Sequence, residues 1–153
     1  MFAIDFIETL NIQFDPRSET VVTNKKLEDN RIRYTLYDLN RKPIFDETFE
    51  DIAYIKNAKL IALIKEQGSK DEIYLYNPFT TEKLGPYSHF NVFTEGSHHP
   101  MGMNADDFKK YEKLNIITVR VTNEDNRYTW GMINLEGKEV KPTAYKYFRY
   151  LEK

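Results

Sequence analysis

Three histidines, His89, His98 and His99, fall close together in the chain, with Asp106 and Asp107 shortly after them. Imidazole nitrogens and carboxylates are zinc donors, and a zinc site needs three or four of them converging, at about 2.0–2.1 Å for nitrogen. Adjacent histidines project to opposite sides of an extended chain, and no recognised ligand spacing is present. We therefore read His98 and His99 as a solvated loop and His89 as a sheet-edge residue, and expect no metal. Ser88 and Ser97 lie near these histidines, but neither sits in the Gly-flanked G-x-S-x-G elbow that holds a serine nucleophile in reach. The chain has no cysteine, which excludes thiolate nucleophiles, thiolate metal sites and disulfides. There is no Gly-rich phosphate loop. With 24 acidic residues, carboxylate pairs are too common to mark an acid–base centre. No catalytic residue, enzyme activity or cofactor is expected.

What remains is charge. Asp46, Glu47, Glu50 and Asp51 place four acids within six residues, with no base between them. Such a run is either a solvated turn or a docking patch, because concentrated like charge steers association with an opposite partner. Tyr54, and Tyr87 further on, would supply aromatic anchors beside it if exposed. The whole chain is nearly balanced, with 22 basic against 24 acidic residues and a net charge of −2. That offers no basic face for nucleic acid. No apolar run approaches the ~20 residues of a membrane-spanning helix. The opening MFAIDFIETL carries Asp5 and Glu8 and no leading base, unlike a secretory signal. The expectation is a single cytoplasmic domain of 153 residues, a size that buries a sizeable core.

The elements holding these residues read mainly as strands. Ten Phe, eleven Tyr and one Trp make 14% of the chain aromatic, and aromatic and β-branched residues favour sheets. Alternating segments run through Ile32–Leu39, Ile52–Ile55, Leu60–Lys65, Ile73–Tyr76 and Ile116–Val121. The opening residues fit either a short helix or an extended lead-in, followed by a strand that ends at Asp15-Pro16. Asn104 is a good N-cap for a helix over about 105–114, with Asp106 and Asp107 where the dipole favours them.

Self-comparison gives the organisation. Leu63–Tyr76 lies without a gap on Val119–Met132, setting Tyr74 on Trp130, and Val22–Tyr37 follows with two extra turn residues. Beyond each lie a turn, a short return strand and an aromatic closing segment. The units span about 20–55, 60–93 and 115–151, with an insertion at about 94–114. A lone hairpin is marginal in water, so the expected fold is an antiparallel meander of about three stacked hairpin repeats, placed side by side as one continuous sheet with a shared core. Trp130 is expected in the core, at the position held by Tyr74 and Thr35 elsewhere.

In the third unit Trp130-Gly131, Ile133-Asn134, Gly137-Lys138, Val140, Pro142 and Tyr145 follow one another in order. This resembles the WG-repeat family of bacterial β-hairpin repeats over about 24 residues. The first two units lack Trp-Gly and keep Leu36-Tyr37-Asp38 with Pro43, and Leu75-Tyr76-Asn77 with Pro86-Tyr87. The resemblance implies a scaffold rather than a shared reaction. The functional expectation is a non-catalytic protein-binding module, narrowed to an immunity-type protein that neutralises a toxin domain such as a basic nuclease. A repeat protein binding a peptide or small ligand is the alternative, and a metal-assisted hydrolase the third reading. Asp46, Glu47, Glu50, Asp51 and Tyr54 are the expected partner-binding residues.

Overall fold

The computed structural model of the protein describes residues 9–67, 70–97 and 103–146. Within them the chain is mainly β, in three antiparallel sheets taken in sequence order. The first holds β1 (Thr9–Asp15), β2 (Thr20–Lys26) and β3 (Ile32–Asp38). The second holds β4 (Asp51–Tyr54), β5 (Ile61–Gln67), β6 (Lys70–Asn77) and β7 (Glu82–Tyr87). The third holds β8 (His89–Phe93), β9 (Ile116–Thr122), β10 (Tyr128–Asn134) and β11 (Glu139–Tyr145). Helix α1 (Ala105–Tyr111) begins where its cap predicts: Asn104 Oδ1 accepts from the Asp107 N–H at 2.8 Å. The helix expected at the N-terminus lies outside the described residues, and the strand expected before Asp15-Pro16 is β1.

The three central hairpins end in the same turn chemistry, which a short polar side chain supplies by accepting backbone N–H bonds two residues and more ahead. Asp38 Oδ1 accepts from Asn40 and Lys42, Asn77 Oδ1 from Phe79 and Thr80, and Asn134 Oδ1 from Glu136 and Lys138. These turns make Asp38, Asn77 and Asn134 equivalent, which shifts the ungapped alignment by one residue after the hairpin loop. The physical reason is loop length. Asn123 and Arg127 are bonded around three residues, whereas Gln67 and Lys70 pair around two. Trp130 therefore corresponds to Ile73 and Tyr34, not to Tyr74 and Thr35.

The repeats stack as expected, but face to face as three separate sheets rather than side by side in one continuous sheet, because both faces of the second sheet are apolar. Ile61, Leu63 and Tyr76 on one face pack with Val22 and Leu36 of the first sheet and with Phe49. Ala62, Ile73 and Leu75 on the other face pack with Ile117, Val119 and Ile133 of the third. Among the described residues there are thus two cores, one on each side of the middle sheet. The closing segments of the first two units do not finish their own sheets. They start the next ones, as β4 beside β5 and β8 beside β9. Residues 43–45 form no return strand, only a bridge from Pro43 to Tyr37.

Trp130 is not in either core. It is half-buried on the far face of the third sheet, opposite Arg120, with its ring centroid 6.3 Å from that of His89. Its neighbour Gly131 is the buried residue. A Cβ there would lie 2.9 Å from both the Lys141 carbonyl oxygen and the Thr143 nitrogen. β11 bulges at this point, since Trp130 pairs with Tyr145 and Met132 with Lys141, and the bulge presses backbone onto backbone where only glycine fits.

Candidate partner-binding face

The acidic run leads into β4 and is pinned at its centre. Phe49 is 0% exposed, and its backbone exchanges two hydrogen bonds with Tyr34 of β3, at 2.8 and 2.9 Å. The next residue, Glu50, donates its N–H to Ile64 of β5 at 2.8 Å. A buried aromatic and bonds to two sheets thus hold the flanking acids in a defined place.

Those acids differ in what surrounds them. Glu47 is bonded to Lys65 at 2.7 Å, and this bond holds the Lys65 ammonium above its ordinary pKa. Asp46 is exposed, and Asp51 is exposed with its carboxylate accepting the Ile52 N–H at 2.8 Å. Glu50 lies 3.8 Å from Arg33, whose guanidinium also donates to the Thr48 carbonyl and hydroxyl. On its other side stand acids that the run does not contain. Glu66 and Asp71 pair across the β5–β6 hairpin, and neither has an ion-pair partner among the described residues. The Glu50 carboxyl is held above its ordinary pKa, first by a hydrogen bond with Glu66, then by burial and by the Glu66 charge, with Asp71 adding and Arg33 opposing. Two carboxyls sharing a site favour one remaining protonated.

The face brought together is therefore Glu50, Glu66 and Asp71, with Asp46 and Asp51 exposed nearby in the chain. Glu66 and Asp71 were missed because they lie distant in sequence from the run. The signal available was the hairpin between them, whose pairing sets acid opposite acid. Tyr54 does not serve this face as an exposed anchor. It sits at the opposite end of β4, half-buried, with its hydroxyl 2.8 Å from that of Thr20 in the first sheet. Burial raises its pKa. Tyr87 is likewise partly buried and packs against the core between the second and third sheets.

His98 and His99 lie outside the described residues. His89 is exposed, with Nε2 3.1 Å from Asn91 Oδ1, and Asp107 Oδ2 accepts from Asn104 Nδ2 at 3.1 Å. Among the described residues no three histidine or acidic side chains converge as metal ligands would, and no helix is long and apolar enough to cross a membrane. Comparison with known protein families, with curated proteins and with solved structures finds no match to this chain.

Proposed function

We propose that this protein is a non-catalytic protein-binding module, and more narrowly an immunity-type protein that binds and neutralises a toxin domain in the cytoplasm. The observation that carries this reading is the crowding of Glu50 with Glu66 and Asp71, which face each other across the β5–β6 hairpin and raise the Glu50 pKa above its ordinary value. Like charges held together are costly, and a Lys or Arg from a partner relieves that cost when it docks. A basic domain, such as a nuclease that binds phosphates, is the partner this charge selects. The stacked sheets supply a rigid platform, in keeping with the WG-type repeat scaffold that Trp130-Gly131 through Tyr145 resembles. Asp46, Glu47, Glu50 and Asp51 join Glu66 and Asp71 in this face, and Tyr54 serves it only by tying β4 to the first sheet.

The test is co-expression with the C-terminal domain of any toxin encoded in a neighbouring reading frame. Co-purification and restored growth are expected, and both should be lost with Glu50→Lys plus Glu66→Lys. Failure to bind any neighbouring product refutes the immunity reading, as does protection that survives the charge reversal.

A second reading, binding of a peptide or small ligand, is favoured by a cleft beside Arg120 that shares Asp71 with the acidic face.

A further inference from the structure

The far face of the third sheet departs from the apolar pattern of the sheet before it. By the equivalence of the hairpins, Arg120 stands where the middle sheet has Ile64, and Trp130 where it has Ile73.

Arg120 is gripped on several sides. Its Nε donates to Ser88 Oγ at 3.0 Å, and its guanidinium carbon lies 4.1 Å from the Tyr128 ring centroid and 5.8 Å from that of Trp130. Ser88 is positioned in turn by its N–H and its hydroxyl, which donate to the Arg120 carbonyl at 2.7 and 3.2 Å. No carboxylate among the described residues pairs with this guanidinium. A half-buried, immobilised and un-neutralised arginine has already lost the rotamer freedom that binding would otherwise remove, and its planar fork matches a carboxylate.

Arg120 also lines a cleft of about 550 Å³, shared with Asp71 and Glu72 from β6 and with Tyr128. That volume lies within the range of small-ligand sites, about 300–1,000 Å³. A cation on one wall and the Asp71 carboxylate on another select against a multiply charged phosphate, which Asp71 would repel. They suit a ligand carrying both signs of charge.

We infer that this cleft binds a short peptide segment, its carboxylate on Arg120 and a Lys or Arg side chain on Asp71, with the Tyr128 ring as a stacking wall. This goes beyond the toxin-binding reading and does not depend on it.

The sole tryptophan of the chain, Trp130, is the reporter. Peptides of the form acetyl-Lys-(Gly)n-Asp-amide, with one to three glycines, would be titrated into the full-length protein while its emission is followed. Saturable change is expected with at least one spacing, and at least tenfold weaker binding when Lys and Asp are replaced by Gln and Asn. Arg120→Gln should weaken binding of the charged peptide at least tenfold, and Asp71→Asn should remove the advantage of Lys over Gln. Circular dichroism establishes that each variant is folded, and should Arg120→Gln not fold, Asp71→Asn alone decides. No saturation with any charged peptide overturns the proposal. So does equal binding of the neutral peptide, an unweakened response in a folded Arg120→Gln, or inorganic phosphate competing as well as the charged peptide. Arg120 lies outside the acidic face, so Arg120→Gln should weaken the peptide titration while leaving binding of a toxin partner unchanged, and the two readings fail separately.

Discussion

Replacing Phe49 with alanine should loosen the first two sheets from one another. The ring is 0% exposed, lies 5.9 Å edge-on from Phe45, and belongs to the core between those sheets. Deleting a fully buried phenylalanine removes its transfer free energy and leaves a cavity, together about 3–5 kcal/mol. Against a total of about 5–15 kcal/mol, that is a large share. For a chain of this length each kcal/mol lowers the melting temperature by about 2–4 °C, so the expected loss is about 6–20 °C. Thermal unfolding followed by far-UV circular dichroism measures it. Phe79, 51% exposed under the Lys59 ammonium, is the control: Phe79→Ala should change little. The placement of Phe49 is refuted if its alanine variant melts within about 2 °C of wild type. Because the same residue pins the acidic run, Phe49→Ala should also weaken partner binding through a disordered face.

Other substitutions probe other joints. Asn77 is 3% exposed, accepts two backbone N–H bonds and donates to the Glu136 carbonyl at 2.9 Å, so Asn77→Ala should cost about 1–3 kcal/mol in urea unfolding through the buried groups it strands. Gly131→Ala forces β11 off its bulge and should cost about 1–3 kcal/mol, visible as a lowered denaturation midpoint. Tyr54→Phe removes one hydroxyl bond to Thr20, worth about 0.5–1.5 kcal/mol, and should leave partner affinity unchanged in a binding titration. Glu50 supplies a pH test. Its folded pKa is raised above the ordinary 4.5, so the native state holds the extra proton and stability falls as pH rises from 4.5 through the raised value. Glu50→Gln keeps a hydrogen-bond donor towards Glu66 without the charge, and should flatten that decline and raise stability at neutral pH.

The strands and hairpins were legible because alternation and turn residues are local signals. Ile32–Asp38 and Ile116–Thr122 announce themselves, and Asn104 marks its helix. That the stacked repeats would meet face to face as separate sheets was not, because period-two alternation tells which residues share a face but not which face meets which. The clue was present in β5, where Ile61 and Leu63 on one side and Ala62 and Ile64 on the other are all apolar, as a strand covered on both faces requires. The slip at Trp130 had a similar origin. One extra loop residue moves every following side chain to the other face, and only the shared turn at Asp38, Asn77 and Asn134 corrects it. Asp46, Glu47, Glu50 and Asp51 of the acidic face were readable as a run in sequence. Glu66 and Asp71 joined it through strand pairing, and Lys65 neutralised Glu47 from a strand that a linear reading does not place beside it.

The claim that Glu50, Glu66 and Asp71 form a docking face for a basic partner meets its most direct test in one titration. The full-length protein and its Glu50→Lys, Glu66→Lys variant would each be titrated with the basic domain of the neighbouring toxin, at low and at high salt. The account predicts that wild-type affinity weakens with salt, that the variant binds at least tenfold more weakly, and that the salt dependence shrinks with it. Equal affinity of the two proteins, with the same response to salt, would contradict it.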